Sequence, residues 1–151
     1  MSSPNRKQAG FTLVELLIVV IILGILAAVV IPQFNSAANE SKEAALASNL
    51  ATVRQSIEMY KVQHDDSFPD GDADFVLQLT GTTDSAGATT GSTYGPYIRN
   101  DIPNEPFSGS NVVKYDVAID NTGGWLFTSL TGQFQANNTD TGPSGIVLSD
   151  L

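Results

Sequence analysis

Few residues in this sequence could do chemistry, and their spacing narrows the field further. Glu15 interrupts an apolar run from Phe11 to Ile31 in which Thr12 and Gly24 are the other non-hydrophobic positions. A carboxylate in hydrocarbon costs about 2.5–3.5 kcal/mol on insertion scales and needs a partner. Asp70, Asp72 and Asp74 alternate like the opening of an EF-hand loop. The sixth position would then be Phe75 where the turn needs glycine, and the twelfth Gly81 where a bidentate glutamate belongs, so that motif fails. Asp116, Asp120 and Asp140, near Asn137, Asn138 and Thr139, form a second oxygen-rich set. His64, beside Asp65 and Asp66, reads as a frayed helix end. With no cysteine and a single histidine, thiolate or His-rich metal sites are not expected, and the serines have no base to activate them. The chain does not read as an enzyme.

The elements that must position these residues follow from patterning. Residues 11–31 as helix would rise about 31 Å, which matches a bilayer core. Before them stands MSSPNRKQAG, whose charges are Arg6 and Lys7. The positive-inside bias puts this leader in the cytoplasm and the body outside. An ordinary secretory signal, with Ser36 and Ala38 as small residues at a cleavage point, competes with that reading. It fits less well, because such apolar regions run about 7–15 residues, and this one is longer and carries Glu15 inside it. The remainder is polar and acidic; a formal charge of -9 gives no basic surface for nucleic acid.

From 32 to 64 the chain keeps helical periodicity, with Leu46, Leu50, Val53, Ile57 and Tyr60 spaced by fours and threes. That stripe faces a core, or alternatively a partner helix, and Glu43, Arg54, Glu58 and Lys61 lie on the other face. Residues 65–151 form a head. In it Asp70 or Asp72 caps a short helix through Phe75, Val76 and Leu79 that ends at Gly81. Residues 80–93 hold only Thr, Gly, Ser, Ala and Asp and read as a solvent loop. Val113, Tyr115, Val117 and Ile119 alternate, Asp120 to Gly124 turn, and Trp125 and Phe127 alternate again, which predicts an antiparallel hairpin. A third strand at 133–136 completes strands over about 112–136, with Trp125, Tyr115 and Leu50 buried together. The fold class is α+β.

Gly10-Phe11-Thr12-Leu13-Val14-Glu15, after a short basic leader and before an apolar run, resembles the class III signal of type IV pilins and type II secretion pseudopilins. The resemblance implies a pilin-like fold, one long N-terminal helix, half of it transmembrane, packed on a small C-terminal antiparallel sheet. It implies that residues 1–10 are a leader removed by a prepilin peptidase between Gly10 and Phe11, with methylation of the new amino terminus. The α-ammonium of Phe11 and the carboxylate of Glu15 would then share a helix face. Between staggered subunits the pair would set filament register, making Glu15 an assembly residue. Gly10 without a side chain lets a protease approach the backbone. Pro32 lacks the N–H that would bond Ala28, and Gly24 costs about 1 kcal/mol of helix propensity; these weak points loosen in a filament if the resemblance holds, or simply kink.

The head carries a looser likeness. Tyr94-Gly95-Pro96-Tyr97-Ile98 and Ile102-Pro103-Asn104-Glu105-Pro106-Phe107 resemble a Pro-punctuated segment of major pseudopilins, with Phe107 where tryptophan is usual. Those proteins commonly hold calcium in a C-terminal loop, for which this chain offers Asp116, Asp120 and Asp140 without an intact loop sequence; no cofactor is required. The partners implied are further copies in a helical filament, minor pseudopilins, an inner-membrane platform protein and an assembly ATPase. A type IV pilus major pilin and a membrane-anchored binding module are the alternatives.

Overall fold

The stripe of leucine, valine and isoleucine at helical spacing dictates the main element. In the computed structural model, which describes residues 10–151, helix α1 runs Leu13–Gln63, close to the expected end. Arg6, Lys7 and the rest of the leader up to residue 9 lie outside the described residues. The helix continues through Gly24 and Pro32. The chain divides into two compact units, one ending at Ala38 and one from Asn39 to Leu151. In the first, every large apolar side chain from Phe11 to Ile31 is exposed, from 41% at Val30 to 81% at Leu13. By length and composition α1 can cross a membrane.

In the second unit Leu46, Leu50, Val53, Ile57 and Tyr60 are all buried, so the stripe faces a core. Helix α2, Asp74–Thr80, adds Phe75 and Leu79 to it. Asp72 accepts the Asp74 N–H at 2.8 Å and Gly81 closes the end with its N–H on the Leu77 carbonyl at 2.8 Å. Asp70 instead pairs with Gln78, which is buried within α2. Strands β1 (Val113–Tyr115), β2 (Trp125–Thr128) and β3 (Gln133–Ala136) form one sheet in that order. Trp125, Phe127 and Phe134 pack with Phe75 and the α1 stripe, and Tyr115 and Leu50 join the same cluster.

The sheet departs from the expected hairpin. β2 pairs antiparallel with β3, but β1 pairs parallel with β2, Val113 opposite Trp125 and Tyr115 opposite Phe127. The reason is that the chain reverses twice. Asp116 takes a left-handed φ of 50° and its carboxylate accepts the Ser129 N–H at 2.8 Å and hydroxyl at 2.7 Å, which ends β1 after Tyr115. Residues 117–119 leave the sheet, with Val117 exposed. Asn121 (φ 58°) and Gly123 (φ 85°) make the second reversal. One reversal gives an antiparallel pair; two give a parallel one.

Two further expectations fail. His64 is not frayed: it is 3% exposed, its ring stacks on Tyr60 at 3.8 Å, and its nitrogens bond the Tyr60 carbonyl at 2.8 Å and the Thr83 hydroxyl at 3.0 Å. The helix ends one residue earlier, and Asp65 and Asp66 at φ 51° and 67° turn the chain away. Nor is the segment 80–93 wholly solvated. Thr83 is fully buried beneath that histidine and bridges to Tyr94, because a small β-branched side chain with a hydroxyl fits where the imidazole needs a partner.

Candidate functional site

The amino-terminal site is built by the first turn of α1. Gly10 precedes the helix with open space around its Cα, and Phe11 is 76% exposed. Thr12 and Glu15 form a capping box: the Glu15 N–H donates to Thr12 Oγ1 at 3.2 Å, while the Thr12 N–H and hydroxyl both donate to Glu15 Oε2 at 2.8 Å. Two otherwise orphaned helix donors are thereby satisfied. Thr-x-x-Glu ahead of an apolar run is the sequence signature of this arrangement. The carboxylate therefore has a partner within its own chain, and it remains exposed. Gly24 and Pro32 lie on the same helix further along.

The acidic set of the head is not gathered into one site. Asp116 holds Ser129. Asp140 engages through its backbone, its N–H donating to Asn138 Oδ1 at 2.8 Å and its carbonyl accepting the Leu148 N–H at 2.9 Å. Asp120 is ringed by donors: Lys114 Nζ at 2.5 Å from Oδ2, and Asn137 Nδ2 at 2.8 Å, the Thr122 N–H at 3.0 Å and the Thr122 hydroxyl at 2.9 Å from Oδ1. The Lys114 ammonium foremost, then the Asn137 amide and the Thr122 N–H, hold the Asp120 carboxyl well below the usual carboxylate range. Among the described residues no group of three His, Cys, Asp or Glu side chains could share a metal ion. Calcium wants 6–8 oxygens turned towards it, and those of Asp120 are turned towards N–H and ammonium donors. Asp116, Asp120 and Asp140 therefore offer no shared oxygen cluster among the described residues.

The Pro-punctuated segment has a structural use. Glu105 is fully buried, and its carboxylate accepts the Phe107 N–H at 2.9 Å and the Ser108 N–H at 2.5 Å. The Pro103 carbonyl accepts the Trp125 indole N–H at 2.7 Å. Arg54, expected on a solvated face, donates Nε to the Phe134 carbonyl at 2.9 Å and Nη1 to the Leu151 carbonyl at 3.0 Å. Glu43, from the same face, accepts the Ser144 N–H at 3.0 Å.

The family model described as the prokaryotic N-terminal methylation motif matches residues 5–31, the stretch that holds Gly10, the capped Glu15 and the exposed apolar start of α1. The chain thus carries an N-terminal methylation motif at its start. Its similarity is then to the type II secretion system core protein G of several bacteria. It is 41% identical to that of Pseudomonas aeruginosa over 60 residues, which cover 40% of this chain and 42% of that protein. It is 33% identical to that of Aeromonas hydrophila over 60 residues, 40% of this chain and 42% of the relative. For Vibrio cholerae the identity is 36% over 59 residues, 39% and 40% of the two chains. The chain thus spans about two fifths of the length of these curated relatives in the match. No solved structure gives a significant match.

Proposed function

We propose that the chain is a structural subunit of a pilus-like filament, the major pseudopilin of a type II secretion system, and not an enzyme. The observation that carries this reading is Glu15 in the first turn of an exposed apolar helix that matches the N-terminal methylation motif. Similarity to core protein G over 60 residues supports secretion over a type IV pilus.

In this reading the leader stays in the cytoplasm, residues 11–31 span the inner membrane once, and the head lies on the extracytoplasmic side. A prepilin peptidase cuts the Gly10–Phe11 amide, and the freed α-amine of Phe11 is methylated. Cleavage creates a cation four residues from Glu15. While the helix is in lipid, tails solvate it as well as another helix would, so neighbours gain little by meeting. Once subunits are drawn out, the same apolar surface must be covered by other copies, and a helical filament with a bundled core results. Extraction is uphill, so an assembly ATPase and an inner-membrane platform protein are required, and minor pseudopilins complete the assembly. Gly24 and Pro32 are the places where the helix gives way during that transfer. The Thr12 contacts lower the cost of carrying Glu15 in the membrane, and a neighbour's Phe11 ammonium competes for the same oxygens on assembly.

Intact mass of the protein from a membrane fraction tests the reading. A chain starting at Phe11 and one methyl group heavier than its sequence is expected. A chain starting at Met1, or after Ala38, overturns it.

A further inference from the structure

The resemblance implies a divalent cation among the aspartates of the head, and the side chains around Asp120 are arranged for a different cation. Lys114, on β1, reaches past the strand end so that its ammonium meets Asp120 Oδ2 at 2.5 Å and also the Thr122 hydroxyl. That hydroxyl donates its own proton to Asp120 Oδ1 at 2.9 Å, so its lone pairs are free to accept from lysine. Asn137, 2% exposed just after β3, fixes the other side. Its Oδ1 accepts the Asp120 N–H at 3.0 Å, and its Nδ2 donates to Asp120 Oδ1 and to the Thr122 carbonyl. The carbonyl and carboxylate oxygens that would face a metal are thus turned to amide and ammonium donors. Four residues from three segments close one network that holds the double reversal 116–124 against the end of β3.

We propose that the Lys114 ammonium is the built-in cation of this loop, taking the place of a bound divalent ion, so that the parallel return from β1 to β2 is held without metal. A tethered ammonium is present at a concentration set by the fold and not by the surroundings. The folding of this head is therefore independent of external calcium. The inference rests on the head alone: if it fails, a mature amino terminus at Phe11 still stands or falls by its own measurement.

The full-length protein in detergent, with Trp125 as its single tryptophan and a buried one, reports on the head by fluorescence. Its thermal midpoint should be the same in millimolar calcium chloride as in excess EGTA; a midpoint raised by calcium overturns the proposal. In EGTA, Lys114→Met keeps the aliphatic stem, removes the charge, and should lower the midpoint by about 2–4 °C; an unchanged midpoint overturns it. Asp120→Asn should lower it similarly, and the double variant should lose less than the sum of the two, because both remove one interaction. Fully additive losses would mean that the two residues act separately, and the lysine would not be the loop's cation.

Discussion

Thr12 and Glu15 satisfy each other across the first turn of α1, the threonine hydroxyl accepting the Glu15 N–H at 3.2 Å while Glu15 Oε2 accepts from the Thr12 N–H and hydroxyl at 2.8 Å. This relationship makes Glu15 a helix cap, a role separable from the one proposed for its charge at a neighbouring subunit. A lost cap is worth about 1 kcal/mol, too little to stop a long apolar helix from forming.

Glu15→Val is therefore expected to insert and to be cleaved normally, and to give no filaments. Thr12→Val removes most of the same cap but keeps the carboxylate, so filaments should persist at reduced yield. Filament yield in sheared fractions, set beside the cleaved fraction in membranes, measures both. Equal loss in the two variants would assign the defect to helix capping, and a normal yield from Glu15→Val would remove the assembly role.

Glu105 makes the second prediction. Its carboxylate is fully buried and accepts two backbone N–H groups of the following turn, Phe107 at 2.9 Å and Ser108 at 2.5 Å. Glu105→Ala strands both donors and should cost about 2–4 kcal/mol. Glu105→Gln keeps one acceptor oxygen and should cost less. Chemical denaturation followed by Trp125 fluorescence separates them, since the indole bonds the Pro103 carbonyl of the same segment at 2.7 Å. Equal stabilities for alanine and glutamine would show that those N–H groups find water instead.

The buried stripe from Leu46 to Tyr60 was legible because a helix of period 3.6 leaves a mark that few other structures imitate. α2 and its Gly81 stop were legible for the same reason, with turn chemistry added. The parallel return was not. Alternation through Val117 and Ile119 looks the same whether the chain continues as a strand or leaves the sheet, and Asp116 decides the matter through a contact to Ser129, thirteen positions away. His64 was misread because its partner Thr83 lies in a segment whose composition says loop. At the candidate site Glu15 stands out as a charge inside an apolar run, whereas the part of Thr12 is carried only by the Thr-x-x-Glu spacing. The role of Lys114 needed the fold, since it depends on Asn137 arriving from beyond β3.

Arg54 supplies a third prediction. A charged residue on the outer face of an amphipathic helix is ordinarily dispensable, but its guanidinium bonds the Phe134 carbonyl at 2.9 Å and the Leu151 carbonyl at 3.0 Å. Hydrogen bonds from a charged donor contribute about 1.5–3 kcal/mol. Arg54→Met should lose stability in that range, while Glu58→Met, from an exposed position on the same helix, should change it by no more than about 0.5 kcal/mol. Urea titration of the two variants checks this, and indistinguishable midpoints would show that the forked contact contributes nothing.

The last prediction concerns acid. The Lys114 ammonium, the Asn137 amide and the Thr122 N–H hold the Asp120 carboxyl well below the usual range, whereas in the unfolded chain it titrates near the ordinary value of about 3.9. The native state therefore binds this proton more weakly than the unfolded state does. Stability from Asp120 is fully present above the unfolded value and is lost progressively as pH falls below it towards the depressed native value. Other carboxylates titrate in the same window, so the useful quantity is the gap in thermal midpoint between the wild type and Asp120→Asn. That gap should be constant from neutral pH down to about 5 and should shrink below about 4. Lys114→Met in the wild-type background should flatten the dependence, since it removes the largest cause of the shift. A gap that stays constant down to about pH 2, or widens there, is incompatible with a carboxylate held ionised by that lysine.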